Sequence, residues 1–297
     1  MKKNKNVNFF IVGAAKSGST LVNDLLSQHP EISMLTKESH YFSYVNSGRP
    51  KFNGPKDSDF SNNVIVDIKN YNQLIEKTDD TNIIGESSVF NLFHKEAAKN
   101  IYDYNKEAKI IIIIRNPILR AYSAYTYMKE TKKREQEISF ELSLEKEEHR
   151  IKNNWEPIWY YQALGFYHQQ IKNFYDVFPR NQILVFKYED FITKKSIGLF
   201  NIENFLNVFN FLDYRDVHPK ISGIINNRLV KLLVKTNIIK NLFKCLVPNL
   251  IWIRLQRKYF SKSKLKPTTY ERLKLVFLDD IKKTEKLTGL DLTSYYL

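Results

Sequence analysis

The stretch Val7–Asn23, VNFFIVGAAKSGSTLVN, constrains the fold more than any other part of this chain. Phe9–Val12 is a short apolar run that reads as a buried β-strand. It breaks at Gly13, passes through the small and polar residues Ala14–Ser19, and enters an apolar-periodic segment from Leu21 to Leu26. Strand, tight loop and helix in that order make an α/β unit. The N–H groups that open such a helix lack partners within it and sit at the positive end of its dipole. An anion of phosphate size is the natural occupant of the loop. A bare strand-to-helix turn needs none of the side-chain donors Lys16, Ser17, Ser19 and Thr20 carried here.

The spacing, Gly13, four residues, Gly18, then Ser19 and Thr20, is close to a Walker P-loop. A Walker loop places lysine directly after the second glycine to reach the β/γ-phosphates. Ser19 holds that place, and the loop's only lysine, Lys16, stands three residues earlier. The loop is expected to bind phosphate, but not as an ATPase does.

A second anchor is Ala108–Ile114, AKIIIII, an apolar β-branched run of the kind found in the middle of a parallel sheet. It stops at Arg115-Asn116-Pro117, and a helix is expected over Ile118–Met128, with Pro117 suited to its first turn. Ligands of open α/β sheets bind beyond the carboxyl ends of the strands, where Arg115 falls. Ser123, about two turns into the helix, could share a phosphate with it, since guanidinium makes two parallel hydrogen bonds to phosphate oxygens. An N-capped helix carrying a surface arginine would show the same residues, so this motif alone leaves both readings open.

The remaining elements alternate. Short strands are expected at Glu31–Leu35, Asn82–Gly85 and Gln182–Lys187, and a short helix over Tyr71–Lys77. Longer helices are expected over His94–Tyr104, Ile158–Phe178, Ile197–Leu212 and Thr268–Thr288, the last ending at Gly289. Ser47–Asn63 reads as a surface loop and Lys129–Asn154 as a charge-dense insertion. Strands alternating with helices predict an α/β, P-loop-like, three-layer fold, with a central, mainly parallel sheet flanked by helices. One domain over residues 1–297 is expected.

Composition sets the outer bounds. At 297 residues with 43% hydrophobic content, the chain can build a large core. A single cysteine, Cys245, excludes an internal disulfide framework and thiolate metal clusters. The six histidines (29, 40, 94, 149, 168 and 218) are scattered, so no metal site is expected. The apolar run after MKKNKN is too short for a signal peptide, and nothing approaches the roughly 20 apolar residues of a membrane span. The expected location is cytoplasmic.

The net charge of +14 is concentrated: Arg215–Leu275 holds 15 Lys/Arg against only Asp216 and Glu271. Apolar residues interleave with these cations at helical spacing, so 215–275 reads as a basic helical segment. Solvated surface helices, a glycan or cofactor contact, or a helix lying on an anionic membrane that presents a lipid-linked acceptor would each use such a segment. The last would make the protein peripheral at the inner membrane surface. No nucleic-acid partner is expected.

Three segments taken together, GAAKSGSTLVNDLLSQHP, KESHYF and IIIIRNPILRAYSAY, resemble the sulfotransferases that use 3′-phosphoadenosine 5′-phosphosulfate (PAPS). The likeness is to bacterial members and to the heparan sulfate sulfotransferase domain. The ending KPTTYERLKLVFLDDIKKTEKLTGLDL is similar to that of bacterial members. The resemblance implies that Lys16, Ser17, Gly18, Ser19 and Thr20 bind the 5′-phosphosulfate and that Arg115 and Ser123 bind the 3′-phosphate. Arg228 and Lys220, in the basic region, are weaker cofactor candidates. Glu38 falls where glycan sulfotransferases place the base for the acceptor hydroxyl, His40 matches a neighbouring active-site histidine, and Lys16 would neutralise the leaving phosphate oxygen. Read without the resemblance, Glu38 is a solvated loop residue beside Lys37.

The chain also departs from that pattern. Where many glycan sulfotransferases carry a GEKSP-like segment, this one has Gly85-Glu86-Ser87-Ser88, so a second catalytic lysine is not carried over. Glu86 is a secondary base candidate, or a helix cap. The expectation is a PAPS-dependent transferase acting on a hydroxyl of a carbohydrate, a lipid-linked glycan or a small molecule, with no metal. A P-loop nucleotide kinase or NTPase is the rival reading, but it lacks the Walker lysine and a magnesium-holding acid after Ile114. A non-catalytic protein that binds anionic polymers or membranes explains the charge and leaves both phosphate motifs without a purpose.

Overall fold

A computed structural model describes residues 5–36, 38–79, 81, 83–215, 224–225, 260–261 and 265–297. Five strands, β1 (Phe9–Gly13), β2 (Ile32–Met34), β3 (Ile83–Ser87), β4 (Lys109–Ile114) and β5 (Ile183–Lys187), form one sheet in the order β2-β3-β1-β4-β5. Every pairing in it is parallel. All five carboxyl ends therefore lie along one edge, where such sheets hold their ligands.

Helices connect the strands: α1 (Ser19–Leu26), α2 (Tyr41–Tyr44), α3 (Ser58–Asn63), α4 (Ile68–Glu76), α5 (Ala97–Tyr104) and α6 (Pro117–Thr126). Beyond a π-helical turn at Tyr127–Thr131 come α7 (Phe140–Glu145), α8 (Glu147–Lys152), α9 (Tyr167–Tyr175), α10 (Tyr188–Thr193), α11 (Lys195–Leu206) and α12 (Pro267–Thr288).

The sheet is buried on both faces because alternate side chains of a strand point opposite ways and both sets are apolar. Phe10, Val12, Ile110, Ile112 and Ile114 pack with Ile118 and Ala121 of α6 and Ile171 of α9. Phe9, Ile11, Ile111 and Ile113 pack with Leu21 and Leu25 of α1 and Ile202 of α11. Helix, sheet and helix make the three layers. Among the described residues no helix is long and apolar enough to cross a membrane.

One expectation fails. The long helix over Ile158–Phe178 is instead two 3-10 turns, Pro157–Trp159 and Ala163–Gly165, followed by the shorter α9. The buried Glu147 carboxylate accepts from the Gln162 and Ala163 amides at 2.6 and 2.8 Å, taking donors that an α-helix would use internally. Trp159 and Tyr161, two apart, are both buried, which one helix face cannot achieve. Of the basic segment at 215–275, the described residues show Ile224–Ile225 paired antiparallel with Phe260–Ser261 and the helical start of α12 from Pro267. Its apolar residues from Leu229 to Leu255, with Lys220 and Arg228, lie outside the described residues.

Candidate active site

The loop after β1 is held by backbone bonds, from Ala14 N–H to the Ile113 carbonyl at 2.7 Å and from Ser17 N–H to the Ala14 carbonyl at 3.1 Å. Lys16 and Gly18 both adopt left-handed backbone, φ 69° and 88°, on either side of Ser17. Alternation of this kind gathers successive N–H groups into anion-binding concavities. Gly18 caps α1, Ser19 is its first residue and is buried, and Thr20 follows it exposed. Ser17 is fully buried, with its hydroxyl beside the Tyr167 phenol.

The carboxyl end of β4 meets this loop. Arg115 Nη1 donates to the Lys16 carbonyl at 3.1 Å, and the guanidinium lies 5.0 Å from the Tyr188 ring at the end of β5. Arg115 Nε is buried without a partner, while the Arg115 carbonyl accepts from Tyr167 Oη at 2.9 Å. Asn116 caps α6 by accepting from the Ile118 and Leu119 amides, and Pro117 occupies the first turn as expected. Ser123 lies half buried two turns along that helix.

The Lys16 ammonium sits 3.7 Å from the centre of the Tyr127 ring, a cation–π position. Burial pulls its pKa down to about 8, helped by the Arg115 and Arg120 guanidinium groups and opposed by Glu38. Arg120, on α6, is fully buried and donates to the Tyr161 carbonyl. Glu38 thus stands close enough to act on Lys16, and its Oε2 is 3.2 Å from His40 Nε2.

Glu38 and His40 are presented by a strained turn, since His40 has φ 52°. What fixes the turn is Glu86, fully buried in β3. It accepts from Ser39 Oγ at 2.5 Å, Ser88 Oγ at 2.6 Å and Tyr71 Oη at 2.5 Å. Ser88 Oγ in turn accepts from the Ser39 and His40 amides at 3.2 and 3.1 Å. Burial pushes the Glu86 carboxyl up while the three hydroxyls hold it down. Glu86 is therefore neither a base facing an acceptor nor a helix cap: it is enclosed, and it holds the turn that carries Glu38. Ser87, where the related pattern has lysine, is the buried last residue of β3.

Several residues of this edge were not foreseen. Tyr127, Arg120, Tyr167 and Tyr188 surround the loop, and only Tyr188 had a legible signal, its place directly after a strand. Among the described residues no group of three or more His, Cys, Asp or Glu could hold a metal ion.

Fold and site together define an α/β protein with a cationic, donor-lined loop at the carboxyl edge of a parallel sheet. Residues 7–210 match the family model described as the sulfotransferase domain. The crystal structure of a sulfotransferase from Alicyclobacillus acidocaldarius is 32% identical with a TM-score of 0.78, covering 98% of this chain and 99% of that one. The chain belongs to the sulfotransferase family.

Curated relatives are more distant. Mouse heparan sulfate glucosamine 3-O-sulfotransferase 5 is 23% identical over 201 residues, 67% of this chain and 52% of that protein. The membrane-associated sulfotransferase kil1 of Dictyostelium discoideum is 27% identical over 138 residues, 46% of this chain and 26% of that protein. The chain spans about half the length of the first and a quarter of the second.

Proposed function

We propose that this chain transfers the sulfuryl group of PAPS to a hydroxyl of a carbohydrate acceptor. The observation that carries the reading is the meeting of three groups at one sheet edge: Lys16 in its loop, Arg115 bonded to that loop, and the Glu38–His40 pair. The donor's chemistry fits the residues present. Arg115 Nε is buried without a partner, and an anion rich in acceptor oxygens would satisfy it. When bound, the donor supplies an activated sulfuryl group on a phosphate leaving group.

The chain's own residues divide the work. Ser17, Gly18, Ser19 and Thr20 form the cradle for the 5′ end, at the start of α1. Arg115 and Ser123 hold the 3′-phosphate, with Arg228 a further candidate. Glu38 takes the proton that the acceptor hydroxyl gives up, and His40, whose Nε2 lies 3.2 Å from Glu38 Oε2, orients that carboxylate. Lys16 offsets the negative charge that collects on the departing phosphate oxygen. Relatives named as heparan sulfate glucosamine 3-O-sulfotransferases favour a glycan hydroxyl as acceptor.

Calorimetry with adenosine 3′,5′-bisphosphate against ATP–Mg²⁺ tests the donor half of this reading. Binding of the bisphosphate alone supports it, and preference for ATP–Mg²⁺ sinks it. Transfer of labelled sulfate from PAPS to a panel of oligosaccharides tests the acceptor half.

A further inference from the structure

The peptide unit between Arg115 and Asn116, at the carboxyl end of β4, is held by side chains at both of its polar atoms. Tyr167 Oη donates to the Arg115 carbonyl at 2.9 Å, and the Asn116 N–H donates to Glu189 Oε1 at 3.1 Å. As the N-cap of α6, Asn116 has no acceptor within the helix for this N–H. Glu189 stands in the first turn of α10, directly after β5. Its second oxygen, Oε2, accepts from Tyr295 Oη at 2.7 Å. Tyr295 is buried and closes a 3-10 turn, Thr293–Tyr295, that follows α12. Helix α12 itself reaches the same place by two routes. Asp280 Oδ2 accepts from the Tyr167 N–H at 2.7 Å, and Tyr270 Oη accepts from Asn116 Nδ2 at 3.3 Å.

A peptide gripped at both its carbonyl and its N–H cannot rotate without breaking a hydrogen bond, and rotation there would swing the Arg115 side chain with it. The guanidinium is therefore aimed before any anion arrives, with Nη1 on the Lys16 carbonyl and the buried Nε without a partner. Aiming of this kind removes an ordering cost from binding. We propose that Glu189 is a positioning residue for Arg115, and that Tyr295, outside the family match at 7–210, holds Glu189 to that task. By this route the C-terminal turn governs the affinity of the donor edge for a nucleotide that carries a 3′-phosphate.

Both tyrosines remain hydrogen-bond donors. Burial pushes the Tyr295 phenol up, and the Glu189 carboxylate beside it pushes the same way. Burial also raises the Tyr167 phenol, to about 12, against the pull of the Arg120 guanidinium. The binding consequence rests on the proposed role of Arg115 at the 3′-phosphate, whereas the positioning itself rests on the hydrogen bonds alone.

Tyr295→Phe deletes one hydroxyl and keeps the ring. In calorimetry on the full chain it is expected to weaken adenosine 3′,5′-bisphosphate about three- to tenfold, the share of one hydrogen bond, and to leave adenosine 5′-phosphosulfate unaltered. In an Arg115→Ala background the same substitution is expected to cost nothing further, because a residue that acts only through Arg115 is silent without it. Glu189→Ala, which removes both acceptor oxygens, is expected to lose more than Tyr295→Phe, and Glu189→Gln, with one oxygen left, less than Glu189→Ala. Hydrogen exchange gives a readout that needs no ligand: the Asn116 amide is expected to exchange faster in Glu189→Ala and Tyr295→Phe than in the parent, with the amides of β1 unchanged. A loss in Tyr295→Phe that adds in full to that of Arg115→Ala overturns the inference, and so does an Asn116 amide whose exchange is unaltered in both variants. Should the parent bind no bisphosphate, or Arg115→Ala weaken both nucleotides equally, it is the functional reading that fails, and exchange at Asn116 still decides the positioning.

Discussion

Arg115 Nη1 donates to the Lys16 carbonyl at 3.1 Å, so the end of β4 is tied to the apex of the loop after β1 across 99 residues of sequence. The two motifs act as one cradle, and the guanidinium bonded to the loop still has a buried, unpartnered Nε. Arg115→Ala is expected to weaken adenosine 3′,5′-bisphosphate binding about 10- to 100-fold, the worth of a hydrogen bond to a charged group. Adenosine 5′-phosphosulfate, which lacks the 3′-phosphate, should lose far less. Equal losses in calorimetry would contradict the assignment of Arg115 to the 3′-phosphate.

Lys16 makes a prediction about pH. Its pKa in the folded chain is about 8, below the 10.5 of a free lysine. Between those values the unfolded chain binds the proton and the folded one does not, so this group's contribution to stability rises with pH through that window. Lys16→Met removes the penalty. The variant is expected to be more stable than the parent near pH 7, with the gap closing towards pH 9.5 in urea titrations. A gap that stays constant would show that burial does not depress this lysine. The same ammonium is needed for transfer, so kcat/KM is expected to fall above about pH 8, and Lys16→Ala to abolish activity.

Glu38→Gln separates the base from the donor cradle. Removal of a general base lowers turnover by about 10²- to 10⁴-fold. Since Glu38 bonds to His40 and reaches the loop only through its charge on Lys16, bisphosphate affinity should change far less than turnover. Turnover that is unaltered would move the base role to another group.

How much of this was legible depends on how local the cause was. The loop and β4 could be read because each rests on adjacent residues: a small-residue break after Val12, and five successive isoleucines that fill both faces of a sheet. The segment 158–178 could not, because its path is set by Glu147 from outside and by aromatics that bury in several directions. Glu86 was misjudged for the same reason. Its three donors come from positions 39, 71 and 88, and no local pattern announces that meeting. The basic segment was read from spacing alone, and its apolar residues from Leu229 to Leu255 lie outside the described residues.

Glu86→Gln tests whether that meeting matters. An amide has one oxygen in place of two, so at least one of the Ser39, Ser88 and Tyr71 hydroxyls loses its acceptor inside the core. The expected loss of stability is about 1–3 kcal/mol. The turn that carries Glu38 and His40 hangs from Ser88, so turnover should fall while bisphosphate affinity holds. A variant with lower stability and full turnover would make Glu86 a packing residue only.

Gly18 and Tyr188 supply the last prediction. Gly18 has φ 88°, and a Cβ there would lie 2.5 Å from Tyr188 Cδ2 and 2.6 Å from Cε2. Those atoms belong to the ring that lies 5.0 Å from the Arg115 guanidinium, so the tyrosine cannot move without disturbing the cradle. Gly18→Ala therefore carries two penalties, about 1–3 kcal/mol from overpacking and about 1–2 kcal/mol from left-handed backbone. Tyr188→Leu, combined with it, clears the clash and leaves the backbone strain. Urea denaturation should show partial recovery in the double variant, and bisphosphate affinity should stay low because Arg115 has lost its aromatic neighbour. No recovery of stability would mean that the glycine is required by its backbone angle alone, and full recovery of both would mean that the Tyr188 ring plays no part in holding Arg115.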